Sequence, residues 1–151
     1  MGTVNGLLAS LGTNVDAALL VRHYDADFHT LYGNAFSENT RNINETGVYL
    51  GLKVRPVAKW EVSAYYDQFR FPWLRYRVSA PTDGHDALVR LAYSPTKTSL
   101  LYVQLRQRLK PRDLSSADLA TFDPARALPL PGEQLRQSIL LYYNAALSPQ
   151  L

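Results

Sequence analysis

Two carboxylates on one amphipathic segment, Glu61 and Asp67, are of a residue type that could support acid–base chemistry. Both fall on the same side of a segment in which apolar and polar residues alternate, as in a β-strand. Six residues apart on a strand, they would be separated by about 20 Å. A glycosidase-like pair needs carboxyl groups within about 10 Å of each other, so we expect no catalysis. We expect both carboxylates to neutralise cations on the same face, namely Lys53, Arg55, Arg90 or Arg106.

Other motifs of catalysis or metal binding are weak in this sequence. His23, His29 and His85 are the only histidines, and cysteine is absent. The histidines have no tight ligand spacing, so we expect solvated residues at the rim of a domain and not a metal site. No serine lies in a Gly-x-Ser-x-Gly setting, and no glycine-rich loop could cradle a phosphate. The sequence therefore predicts no enzyme, no metal and no cofactor.

The densest aromatic and cationic segment spans 69–77 and reads Phe-Arg-Phe-Pro-Trp-Leu-Arg-Tyr-Arg. One interpretation is a surface loop that binds a glycan, a nucleic acid or a partner by stacking and cation–π contacts. The other is that Phe71, Trp73 and Tyr76 anchor the loop at a membrane interface, where aromatic rings are enriched. We favour the second interpretation.

Apolar and polar residues alternate with a period of two in seven segments of the chain. These segments carry or border the candidate residues described above. The clearest is 59–69, where Trp60 and Val62 fall on one side and Glu61 and Ser63 on the other. A helix would spread the apolar residues around its cylinder, whereas a strand aligns them on one face. The predicted strands cover 3–11, 15–22, 46–55, 59–69, 86–93, 99–107 and 135–146.

The connections between these segments alternate in length. Short turns are predicted at 12–14, 56–58 and 94–97, and long links at 25–45, 70–84 and 110–133. Bacterial outer-membrane barrels alternate in this way, because their periplasmic turns are tight and their extracellular loops are free to grow. The segments also span about ten residues, close to the length with which a tilted strand crosses a bilayer.

The predicted face opposite the apolar one carries charges of both signs, as a wet lumen would. The predicted lumen-facing charged residues are Asp16, Arg22, Lys53, Arg55, Glu61, Asp67, Arg90 and Arg106. On the apolar face, Trp60 and Tyr93 lie beside short turns, where an aromatic girdle is expected. In a soluble barrel the apolar faces would point inward instead, and alternation alone does not distinguish the two cases.

The composition excludes some classes of protein. No stretch reaches the 18 or so apolar residues of a membrane helix, whereas alternating strands are compatible with the mean hydropathy of −0.20. The 16 Lys and Arg residues are scattered, so no nucleic-acid partner is predicted. The first residues lack the pattern of a signal peptide, and we expect the chain to begin inside a longer protein.

Segments 32–38, 44–51 and 60–76 resemble the barrel region of outer-membrane proteins from Bacteroidetes-type genomes that are often labelled helix-hairpin-helix domain-containing proteins. The Phe-Pro-Trp-Leu-Arg-Tyr block at 71–76 is the most specific part. The resemblance covers most of the chain and implies an integral outer-membrane barrel, without implying a substrate. The helix-hairpin-helix part of that family is not present in this sequence.

These patterns predict one domain over 1–151: an all-β, antiparallel, up-and-down transmembrane β-barrel with about seven strands. Closed bacterial barrels have at least eight strands, usually an even number, and open edges are not tolerated in hydrocarbon. We therefore expect part of a larger barrel, completed by strands of the same protein or of a partner chain. Its predicted setting is bacterial outer-membrane lipid, as a pore, a transport component or a surface scaffold. The alternative is a soluble β-barrel or sandwich that binds a small ligand inside.

Overall fold

The structure, a computed structural model, describes residues 1–29, 35–38, 41–74, 78, 80–113 and 131–145. The strands are β1 Gly2–Ser10, β2 Val15–Tyr24, β3 Glu45–Val54, β4 Trp60–Phe71, β5 Thr82–Thr96, β6 Ser99–Asp113 and β7 Pro131–Ala145. They form one sheet in chain order, and every neighbouring pair is antiparallel. The expected all-β, up-and-down arrangement of seven strands is confirmed. The sheet is open, with β1 and β7 as its edges.

The connections place all the short turns at one end of the sheet, the short-turn end, and all the long links at the other, the long-loop end. The short turns are 11–14, 55–59 and 97–98, and the long links are 25–44, 72–81 and 114–130. Gly12 and Lys59 have positive φ angles of 139° and 73°, which tight reversals of this kind require. No helix in the described part of the chain is long and apolar enough to cross a membrane.

The last three strands are longer than the periodicity predicted. Each of β5, β6 and β7 contains 15 residues, so the links predicted at 70–84 and 110–133 are shorter than expected. The reason is that backbone pairing continues past the amphipathic run. Beyond Leu109, β6 pairs only with β7, and Pro111 therefore lies on an edge, where a missing N–H is tolerated.

The two faces of the sheet differ in polarity and in burial. The apolar face is exposed in all strands; for example, Leu50 is 51% and Ile139 78% exposed. Its large exposed residues are Leu7, Leu19, Val21, Val48, Leu50, Leu52, Trp60, Tyr66, Val89, Leu91, Leu101, Val103, Leu105, Leu135, Ile139, Leu141 and Tyr143. At the long-loop end, described residues of the links, among them 35–38 and 73–74, lie over the polar face. Most of the buried residues lie there, whereas buried Ala92 lies nearer the short turns.

Candidate functional site

The register of the strands places seven of the eight charged residues predicted to face a lumen on the polar face, and the eighth, Arg55, follows β3 and pairs with Asp16 and Glu61 of that face. Four of them, Asp16, Lys53, Arg55 and Glu61, lie at the short-turn end. Glu61 pairs with Lys53 at 2.9 Å and with Arg55 at 3.4 Å, as expected from the sequence. Asp16 lies 3.6 Å from Arg55. These side chains are about two-fifths exposed, so each pair contributes little to stability.

Of the other four, Arg90 is level with Lys53, because both have Ser63 as a register partner. Arg22, Asp67 and the partner of Arg106, Asp86, lie nearer the long-loop end. Arg22 is fully buried there. Its Nε donates a hydrogen bond to Glu45 Oε1 at 2.6 Å. Its Nη1 and Nη2 donate to the two carboxylate oxygens of Asp67 at 2.8 and 3.1 Å. Arg22 thus binds one carboxylate through two parallel bonds and a second through Nε, which offsets much of the cost of burying the charges.

The partner of Asp67 differs from the expectation, which was Lys53, Arg55, Arg90 or Arg106. Arg22 pairs instead with Asp67, although β3 lies between their strands. Gly47 of β3 is the register partner of Arg22, and an added Cβ there would lie 2.5 Å from the guanidinium carbon. The missing side chain therefore gives Arg22 a path across β3.

A short inward segment of the first long link, residues 35–38, lies over this cluster. The Phe36 ring lies 4.9 Å from the Arg22 guanidinium carbon, and the Phe36 carbonyl accepts a hydrogen bond from Tyr24 Oη at 2.9 Å. The backbone N–H of Glu38 donates to both oxygens of Glu45 at 2.9 and 3.0 Å. The segment is therefore fixed to β2 and β3 by side-chain, backbone and cation–π contacts.

Beyond this segment, the cluster continues onto β5 and β6. Arg106 Nε donates to Asp86 Oδ1 at 2.9 Å, and the carboxylate of Glu38 binds both Arg108 and Lys110, the latter at 3.2 Å. Arg90, by contrast, donates to Gln104 Oε1 at 2.6 and 3.0 Å. Residues 35–38 thus connect the polar faces of β2 and β3 to that of β6.

The sequence pattern did not indicate several members of this cluster. They are Glu38, Glu45, Asp86, Arg108 and Lys110. The period-two pattern contained a signal for Arg108 and Lys110, because they continue the alternation of Arg106 on β6. Glu38 lies in a link without regular structure, and no pattern in the sequence marked it.

The aromatic residues predicted at an interface have different environments. Trp60 and Tyr93 are register partners on the apolar face, with ring centroids 4.6 Å apart. Phe71 is fully buried on the polar face against Phe69, so the expectation that it anchors an interface is wrong. The reason is that β4 continues to Phe71, which therefore keeps the inward direction of Phe69.

The second long link is held by Asn44, whose side chain accepts a hydrogen bond from Trp73 N at 2.8 Å and donates one to Trp73 O at 2.7 Å. The Trp73 residue is 63% exposed, and Tyr76 lies outside the described residues. Asn44 therefore joins the two long links to each other above the polar face.

The histidines lie at the long-loop end, but the described residues contain no group of three or more ligands that could hold a metal. His23 lies 2.8 Å from Thr46 Oγ1 and 2.9 Å from Asp25 Oδ1, His85 stacks on Tyr66, and His29 is exposed.

A cavity of about 470 Å³ lies on the polar face between the charged cluster and the short-turn end. Its wall includes Tyr49 and Tyr65, whose rings stack at 5.5 Å, together with Ser10, Lys53 and Ser63. The described part of the polar face thus has two regions: an open one near the short turns and a buried one under residues 35–38. Comparisons of the chain with family models, with curated proteins and with solved structures find no match.

Proposed function

We propose that the chain is part of an integral β-barrel of the bacterial outer membrane, with its apolar face against lipid and its polar face lining the interior. The supporting observation is that charged side chains are buried and large apolar side chains are exposed, which is the reverse of the distribution in a soluble protein. The side chains covered by the loops include Arg22, Glu45, Asp67 and Asp86, whereas the large aliphatic residues of every strand are exposed.

The size of the apolar face argues against water as its surroundings. Burying a large aliphatic or aromatic side chain is worth about 1.5–3 kcal/mol, and seventeen such residues on one face remain exposed. Soluble monomers rarely expose contiguous apolar patches larger than a few hundred Å². Lipid would remove this cost without any further protein layer. An aromatic row of Trp60, Tyr93 and Tyr143 borders the face at the short-turn end, as membrane girdles do.

We further propose that additional strands complete the barrel, and that it belongs to the outer-membrane class that the 71–76 block resembles. The support lies in the two edges of the sheet, β1 and β7, which have no further strand beside them in the described structure. Unpaired backbone groups cost several kcal/mol each in hydrocarbon, so an edge must pair before it can lie in a bilayer. The partner strands come from the same protein or from a second chain.

Fractionation tests the proposal. The protein is expressed with a secretion signal in a Gram-negative host, and the membranes are separated and washed with alkaline carbonate. We expect the protein in the outer-membrane pellet, with release only by detergent, because lipid covers the apolar face. A monomer that stays in solution without detergent would contradict the proposal and favour the soluble barrel that binds a small ligand inside.

A further inference from the structure

The polar face of β6 carries four cations in succession towards the long-loop end. Alternate residues of a strand point the same way, so these side chains form a row with a spacing of about 7 Å. Arg136 of β7 is the register partner of the second of them and extends the row sideways. We call this group the cationic ladder; its members are Arg106, Arg108, Lys110, Arg112 and Arg136.

The cationic ladder holds more positive charge than its described partners neutralise. Two carboxylates bind it: Asp86, through Arg106 and Arg108, and Glu38, through Arg108 and Lys110. None of the ion pairs between described residues includes Arg112 or Arg136. The Nε of Arg108 has no hydrogen-bond partner within the described structure and lies 3.7 Å from Asp86 Oδ2.

The carboxylate of Glu38 shows which kind of group the ladder accepts. It arrives from a link 70 residues away in sequence and is bound by two cations that point into the interior. The backbone N–H of Glu38 donates to Glu45 of β3, so the carboxylate is presented on a segment that is fixed three strands away from β6 on the same face of the sheet. A carboxylate that bridges an arginine and a lysine has the chemistry of a bound oxyanion ligand.

We propose that the cationic ladder is a binding site for a soluble oxyanion, a solute with carboxylate or phosphate groups, and that Glu38 occupies the site as an internal competitor. The proposal rests on the proposed function, because it requires that the polar face line a wet interior. Rows of Arg and Lys select anions and phosphates in membrane pores, and a low-dielectric wall strengthens their field. An incoming oxyanion displaces the Glu38 carboxylate from Arg108 and Lys110 and releases residues 35–38 from β6.

Titration of the purified protein in neutral detergent micelles with citrate and with inorganic phosphate tests the site. The change is Glu38→Gln, which removes the competing charge and keeps the size of the side chain. We expect this variant to bind either probe about tenfold more tightly than the wild type. In the wild type the probe must displace the Glu38 carboxylate, and a coupling between two binding events is typically of this size. Adding Arg108→Gln and Lys110→Gln to Glu38→Gln is expected to abolish the gain, as measured by titration calorimetry at low salt.

The matched control is Glu61→Gln at the short-turn end. It changes the net charge by the same amount and also releases two cations of the polar face, Lys53 and Arg55. If binding depended only on net charge, both variants would gain the same affinity for the probe, and the proposed site would be wrong. Equal affinity of wild type and Glu38→Gln would also overturn it. A further titration in micelles that contain phosphatidylglycerol distinguishes a soluble oxyanion from a lipid headgroup. If Glu38→Gln no longer binds the probe more tightly in these micelles, the lipid headgroup occupies the site, which contradicts a soluble ligand.

The outcomes for the site and for the proposed function are separable. A protein that requires detergent and is folded, yet shows no gain on Glu38→Gln, contradicts the oxyanion site alone. A protein that is soluble without detergent contradicts the membrane proposal, and the same titrations are then made in buffer.

Discussion

Replacing Arg22 by methionine is expected to lower the free energy of unfolding by about 3–5 kcal/mol, because it leaves two buried carboxylates without a cation. Arg22 is fully buried, and Glu45 and Asp67 are both within hydrogen-bond distance of its guanidinium group. Methionine fills much of the space but donates no hydrogen bond. The measurement is urea unfolding of the detergent-solubilised protein, followed by tryptophan fluorescence.

The control for this change is Arg70→Met on the neighbouring part of the sheet. Arg70 pairs with Asp83 at 3.5 Å, and both side chains are about two-thirds exposed. Its loss is expected to cost less than about 1 kcal/mol. Equal effects of the two substitutions would show that Arg22 is not the buried centre of the cluster. Adding Glu45→Gln and Asp67→Asn to Arg22→Met is expected to restore part of the lost stability, because the unpaired charges are then removed.

The second large effect is expected from Leu19→Arg in the middle of β2. Leu19 lies on the apolar face beside Leu50 of β3. If this face contacts the centre of a bilayer, an arginine there destabilises the protein by about 2–4 kcal/mol. If the face contacts water, the substitution changes stability by no more than about 0.5 kcal/mol. Unfolding of the protein in lipid vesicles measures the difference.

Ala18→Arg is the matched control, since it introduces the same side chain one residue away on the opposite face. Ala18 borders the cavity on the polar face, where an arginine has room and access to water. We expect a small effect at position 18 and a large one at position 19. The reverse order would place the polar face against lipid and contradict the proposed orientation.

The sequence alone predicted the number of strands, their order of short and long connections, and the face on which eight charged residues lie. These features depend on a period of two, which is a local property that the chain displays directly. The lengths of the strands were harder to predict, because β5, β6 and β7 continue by backbone pairing beyond the residues in which side-chain polarity alternates. Phe71 was placed wrongly for the same reason, since β4 extends two residues beyond its predicted end.

The charged cluster was only partly predictable. That Arg22 and Asp67 share a face follows from alternation, but their pairing across β3 depends on the registers of two strand pairs. It also depends on Gly47, whose missing side chain leaves space for the guanidinium group. The contact of Glu38 with Arg108 joins residues 70 apart through an irregular link, and no local pattern encodes such a contact.

In the proposed orientation the apolar face contacts lipid and the polar face contacts water, and a spin-label scan of β3 distinguishes these two environments. The chain has no cysteine, so single cysteines at 48–53 can be labelled without background. In bilayers we expect labels at 48, 50 and 52 to be most accessible to oxygen, which partitions into hydrocarbon. We expect labels at 49, 51 and 53 to be most accessible to a water-soluble nickel chelate. If labels at 48, 50 and 52 were the more accessible ones to the nickel chelate, the apolar face would contact water and the proposed orientation would be wrong.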